Sequence, residues 1–273
     1  MLNIRPAAVA GAFYPAQPKA LRHQLAECFE AAKPVLSELG RHPKALIVPH
    51  AGYIYSGPIA ASAYALLKPL RNAIQRVVLL GPVHRVWVSG LALPGATRFE
   101  TPLGQVEIDQ AGIEAIADLP QVSISPLAHA EEHSLEVHLP FLQTVLDAFK
   151  LIPLAVGSAT PEQVAEVLDR LWGSDETLIV VSSDLSHFLP YAEAKQIDRA
   201  TANAILRLDI NLAGEQACGA HPINGLALAA KQHGLVPHLL DLRNSGDTAG
   251  DRGRVVGYGA FALMEANHEH AQH

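Results

Sequence analysis

The 273-residue chain is poor in cysteine, tryptophan and methionine, with two of each. Two thiols, Cys28 and Cys218, exclude a disulfide scaffold and fit a reducing compartment. Basic residues are outnumbered 20 to 27, for a formal net charge of −7. That balance excludes a general nucleic-acid or anionic-membrane binder, since both need a basic face. Charged residues make up only 17% against 49% hydrophobic, which excludes a disordered chain. There is no internal repeat or low-complexity linker. The opening MLNIRPAAVAGAFYP is broken by Tyr14-Pro15 and makes a poor secretory signal, so a cytoplasmic location is expected. Residues 45–67 lack any charge, but Pro49, His50, Gly52, Gly57 and Pro58 point to a strand, a turn and a helix rather than a membrane span.

Histidine is abundant, with fourteen. His268, His270 and His273 fall in a terminal stretch, 266–273, that reads as a disordered tail. A chain of this length can bury about three quarters of its extended surface and needs no staple. Short apolar strands are expected at Ala45–Val48, Arg76–Leu80, Val86–Leu93, Leu151–Val156 and Thr177–Val181. Two more are expected near His238–Leu242 and Val255–Leu263, with further strands and turns in ETPLGQVEID. Helical spacing marks 18–32, 59–67 with Pro58 in its first turn, 110–118, a helix capped by Ser134, 161–171, and two more around 193–207 and 222–233. Alternation without a composition break gives one α/β domain, residues 1–265, with a mixed, mainly parallel central sheet flanked by helices.

Three apolar strands end in a polar cluster with a histidine: Pro49-His50, Pro82-Val83-His84, and Asp184-Leu185-Ser186-His187. Ligand sites of open α/β sheets lie beyond the carboxyl ends of strands, so these segments can converge. Cys218, flanked by Gly219 and preceding a helix, is expected to favour a thiolate. Two imidazoles and a thiolate would make a three-ligand site with open positions, which substrate or O₂ can occupy. Cys28 shares a helix face with Leu21 and Leu25 and reads as core.

Other chemistry is weaker. HAEEHSLEVHLP is no zincin motif, and its His133 and His138 are five apart and leave a helix on different faces. It reads either as a pocket wall behind the ligands, contributing His133, Glu136 and His138 with His221 of CGAHPI beside them, or simply as a polar helix start whose acids suit the dipole. Ser182, Ser183, Asp184 and His187 invite a hydrolase triad, but no G-x-S-x-G elbow is present. Asp184 is better read as orienting a histidine and His187 as handling protons. Asn244–Gly253 is a Gly/Asp-rich turn without EF-hand spacing. Neither a phosphate-binding loop nor a dinucleotide fingerprint occurs.

Eight stretches together resemble the Memo family, whose microbial branch is called AmmeMemoRadiSam system protein B. They are AGAFYP (10–15), VPHAGYIYSG (48–57), LLGPVH (79–84), TPLG (101–104), EEHSLEVHLPFL (131–142), VSSDLSH (181–187), CGAHPI (218–223) and SGDTAGDRGRVVGYGAF (245–261). The resemblance implies a fold like class III extradiol dioxygenases and a metal held by His50, His84 and Cys218. In those dioxygenases a glutamate stands where Cys218 does, and their acid/base histidine falls at His187. Fe(II) or copper is the implied metal, with zinc admitted by the same ligands, since a thiolate is softer than a carboxylate. The implied activity is non-haem oxidoreductase or oxygenase-type chemistry on a small molecule. Two alternatives are a non-catalytic metal- or peptide-binding adaptor and a zinc hydrolase. The implied partners are a radical-SAM protein and the third component of that system.

Overall fold

A computed structural model of the chain describes residues 3–33 and 42–265. The expected tail, 266–273, lies outside them. The spine is a row of short apolar strands: β2 (Pro43–Val48), β3 (Arg76–Pro82), β8 (Lys150–Val156) and β9 (Thr177–Ser182). They run parallel in the order β8-β3-β9-β2. One flank continues through β6 (Gly104–Ile108), β5 (Arg98–Thr101) and β1 (Ile4–Arg5). The other continues through antiparallel β12 (Val255–Glu265), which also pairs with β11 (Leu235–Asn244) and β10 (His187–Leu189). The sheet is therefore mixed, mainly parallel and covered by helices, as expected for the class that the resemblance implies.

Successive strand residues point to opposite faces. Leu46, Val48, Val77 and Leu79 pack on one side with α1 (Pro18–Glu30), α2 (Tyr53–Tyr64) and α6 (Leu139–Val145). Ala45, Ile47, Val78 and Leu80 pack on the other with α7 (Pro161–Leu171), α8 (Tyr191–Leu206) and α9 (Ala220–Gln232). Both faces are dry, so these strands read as unbroken apolar runs. Among the described residues, no helix is long and apolar enough to cross a membrane.

Several local expectations are corrected. Helix α2 starts at Tyr53, with Pro58 inside it rather than in its first turn. Its start is fixed by a bond from Tyr53 N–H to the Phe13 carbonyl, 2.8 Å, a long-range contact that sequence does not display. Val86–Leu93 is a strand only over β4 (Leu91–Leu93), which pairs with an unexpected β7 (Val122–Ile124). The helix expected over 110–118 stops at Glu114 as α3 (Gln110–Glu114). The helix expected from Ser134 is broken into α5 (His133–Glu136) and α6, after a short α4 (Pro126–Ala130). Glu132, not Ser134, caps α5: its carboxylate accepts from Ser134 N–H.

The register delivers the site. Val48 is paired with Ser182 and Leu80 with Val181, so the carboxyl ends of β2, β9 and β3 are neighbours. His50 follows Val48 by two residues, Asp184 follows Ser182 by two, and His84 follows Pro82 by two. Gly219 closes the fourth side. A Cβ there would lie 2.6 Å from the Ser182 carbonyl oxygen, so only glycine lets the Cys218 loop press against the end of β9.

Candidate metal centre

His50 is 2% exposed. Its backbone N–H donates to Asp184 Oδ1 at 2.8 Å, and its Nδ1 lies 2.6 Å from Ser182 Oγ. The Ser182 hydroxyl donates its one hydrogen to the Ser134 carbonyl at 2.6 Å. Ser182 must therefore accept from His50 Nδ1–H, which leaves the His50 Nε2 lone pair free. That Nε2 lies 3.4 Å from Cys218 Sγ. Burial first, then the neighbouring imidazoles, hold His50 well below its usual range, in the neutral form that a metal ligand requires.

His84 is fixed in the same way. Its Nδ1 meets Glu132 Oε1 at 2.9 Å and its backbone N–H meets Glu132 Oε2 at 2.6 Å. Burial would raise the Glu132 carboxyl, but the His84 ring and the backbone N–H groups of Ser134 and His84 hold it down to about 2. An ionised carboxylate only accepts, so His84 Nδ1 carries the proton and Nε2 is again free. His133 sits 3.4 Å from Glu132 Oε1 through its Nδ1. Burial pushes His133 down to about 4. One nitrogen from each of His50, His84 and His133 lies within 4.8 Å of the others. Imidazoles with one nitrogen tied to a carboxylate or hydroxyl are what a bound first-row ion needs, so the donor set fits a metal.

Cys218 lies on the flank of this group. Its Sγ accepts from Asp184 N–H at 3.3 Å. The expectation of a thiolate is corrected: burial and then the Asp184 charge push the thiol up to about 12, outweighing the adjacent helix start. A cation beside the sulfur reverses that balance. Asp184 itself is buried and pushed up to about 7, against hydrogen bonds from the His50 and Ala51 N–H groups. It holds the His50 backbone, with its Oδ2 3.9 Å from His50 Nε2.

His187 stands half-buried at the start of β10, and burial lowers its pKa. It faces a cleft of about 780 Å³ whose walls include His84, Cys218, Leu189, Ile197 and Ala200. Volume and an apolar wall with a few convergent polar groups are typical of small-molecule sites.

The other expected wall residues diverge. His133 belongs to the imidazole group itself rather than behind it. Glu136 turns the other way, onto the Ala8 and Val9 N–H groups and the Tyr14 hydroxyl. His138 faces the core, where its Nδ1 meets Tyr64 Oη at 2.8 Å. His221 engages the Ala159 carbonyl at 2.8 Å. Sequence reasoning passed over Glu132 as an orienting group and read Ser182 only as a triad candidate. A carboxylate capping a helix whose first residue is histidine was the available signal.

A model of the family described as Memo-like protein matches residues 5–262. The chain belongs to the Memo family. A MEMO1 family protein of Sulfolobus acidocaldarius is 36% identical, over 93% of this chain and 97% of its own length. One from Methanosarcina barkeri is 35% identical, over 95% and 100%. One from Aquifex aeolicus is 36% identical, over 94% and 98%. Among solved structures, an uncharacterized protein of Escherichia coli K12 superposes with a TM-score of 0.52 at 13% identity, covering 81% of this chain and all of its own. That likeness concerns the fold alone.

Proposed function

We propose that this Memo-family chain is a metal-dependent redox protein acting on a small molecule bound in the cleft beside His84, Cys218 and His187. The observation that carries the reading is a pair of imidazoles, the buried His50 and the more exposed His84, whose Nδ1 atoms are both spent on acceptors, which leaves Nε2 for an ion, with Cys218 Sγ 3.4 Å from that of His50. Cys218 completes the ligand set that the family resemblance implies, and His133 is the alternative third ligand that the geometry favours. Bound there, Fe(II) or copper would supply one-electron chemistry and open coordination positions, whereas zinc would supply a Lewis acid. His187, neutral near pH 7, faces the cleft and can accept a proton from a substrate hydroxyl or thiol. Asp184 acts through His50, whose backbone it holds.

Cobalt substitution separates the third ligands. With Cys218 bound, Co(II) protein shows a thiolate charge-transfer band that survives in His133→Ala and vanishes in Cys218→Ser. A band absent from the wild type, with affinity lost only in His133→Ala, assigns the third position to His133. Redox chemistry is read as O₂ uptake by Fe(II)- or Cu(I)-loaded protein across phenols and thiols. Equal, negligible uptake by wild type and His187→Ala removes the redox assignment.

A second reading is an adaptor, for which the resemblance implies a radical-SAM protein and a third component as partners and to which exposed apolar side chains would be suited. Trp87 is 81% exposed, and Ile124 and Leu127 nearly 70%. Pull-down from a native extract tests it; no stable partner with or without metal counts against it.

A further inference from the structure

The residues from Arg5 to Tyr14 contain no candidate ligand, yet one buried ion pair ties them to two of the imidazoles. Arg5 on β1 and Glu136 on α5 are paired and almost fully buried. Arg5 donates from Nε to the His129 carbonyl at 3.0 Å, from Nη2 to the Glu132 carbonyl at 2.8 Å, and from Nη1 to the Pro6 carbonyl at 3.1 Å and to Glu136. Glu136 Oε2 accepts from Ala8 N–H at 2.8 Å, and its Oε1 from Val9 N–H at 3.0 Å and the Tyr14 hydroxyl at 2.5 Å.

Two arms leave this pair. In the first, Arg5 grips the backbone on both sides of the turn from α4 to α5, fixing Glu132, whose carboxylate holds the His84 ring. In the second, Glu136 fixes Val9 and Tyr14, which bracket Phe13. The Phe13 ring lies 4.6 Å from the His133 ring, and the Phe13 carbonyl accepts from Tyr53 N–H. A buried ion pair carries a desolvation penalty that packed apolar side chains avoid, so stability alone is a weak reason for it. A fork with five donors fixes directions that apolar packing does not.

We propose that Arg5 and Glu136 are positioning residues that aim His84 and His133 at a common point, the first arm running through Glu132 and the second through Phe13. The proposal rests on reading the imidazoles as a metal group, and its test has a readout that needs no metal. Full-length protein labelled with ¹⁵N-histidine is compared with Arg5→Lys, which keeps the charge and loses the fork, with Glu136→Gln, and with Phe13→Leu. In metal-free protein, Arg5→Lys and Glu136→Gln should move the ring-nitrogen signals of both His84 and His133. Phe13→Leu should move His133 most, with a smaller effect at His84, whose ring lies 4.7 Å from that of His133. The rings of His221 and His233, bonded to the Ala159 carbonyl and to Asp169, serve as unmoved controls. Zn(II) affinity should fall about tenfold or more in Arg5→Lys and Glu136→Gln, as for other groups that orient ligands.

Unmoved His84 and His133 signals in folded variants overturn the proposal, and so do moved signals with unchanged Zn(II) affinity. A wild type that binds no Zn(II), with signals moving as stated, removes the metal reading and leaves the aiming of the rings intact. If both charge variants fail to fold, Phe13→Leu still decides: a shift larger at His84 than at His133, or none at His133, overturns the second arm and with it the proposal.

Discussion

Glu132→Gln is the sharpest single perturbation of the site. The carboxylate accepts from His84 Nδ1 at 2.9 Å, His84 N–H at 2.6 Å and Ser134 N–H at 3.0 Å, and it lies 3.4 Å from His133 Nδ1. Glutamine keeps the size but loses the charge, and its amide presents a donor either to the His84 ring and Ser134 N–H or to the His84 N–H, whichever oxygen it replaces. Hydrogen bonds to a charged acceptor contribute about 1.5–3 kcal/mol each. Losing the one to the His84 ring lets the ring turn or change tautomer, so Nε2 is no longer held toward the group. Orienting partners of metal-bound histidines are typically worth about 10–100-fold in affinity, or about 1.4–2.7 kcal/mol. Zn(II) titration against a competing chelator at pH 7.5, with thermal melts beside it, measures both effects. Affinity reduced in that range, with the fold retained, is expected. Affinity within about twofold of wild type would refute the assignment of Glu132 as the group that orients His84.

Other consequences are independent. Burial holds His138 down to about 3, against 6.5 when unfolded, so its stability contribution is complete above pH 6.5 and is lost as pH falls toward 4. Between pH 7 and 4, His138→Phe should therefore lose about 3 kcal/mol less stability to acid than wild type in denaturant titrations; parallel pH profiles would contradict its buried, neutral state. Burial pushes Cys28 up to about 12, so iodoacetamide at pH 8 should leave it unmodified until the chain is denatured, as mass spectrometry would read. Gly90 has φ +78, and a Cβ there would lie 2.1 Å from the Gln121 carbonyl oxygen. Gly90→Ala should cost more than about 1 kcal/mol, and a neutral result would mean the 88–91 turn is built differently. Leu79→Ala, at a fully buried position in the sheet, should cost about 2–5 kcal/mol in the same titrations.

Strong local chemistry was legible in the sequence. The proline at its start marked α7, which runs over the expected Pro161–Leu171; the Thr160/Gln163 capping box is a signal that sequence reasoning passed over. The apolar runs that became β2, β3, β8 and β9 were recognisable because both faces of this sheet are buried. Their polar ends pointed to a site before any register was known. What was hidden depends on contacts between distant segments. The start of α2 is set by Phe13, some forty residues earlier. His133 enters the imidazole group because α5 packs near the end of β3, where Ser134 Oγ bonds the Pro82 carbonyl. Glu136, on the same short helix as His133, serves the N-terminal segment instead. The thiolate expected at Cys218 followed from a helix start, a local effect that burial reverses.

The most direct test of the metal centre is metal stoichiometry on anaerobically prepared full-length protein, beside His50→Ala/His84→Ala. The chain's terminal histidines are present in both, so the difference isolates the site. About one Fe or Cu per wild-type chain and none in the folded double variant is expected if His50 and His84 hold the ion. Equal metal in both, or none in either after anaerobic loading with Fe(II) and Cu(I), would contradict it.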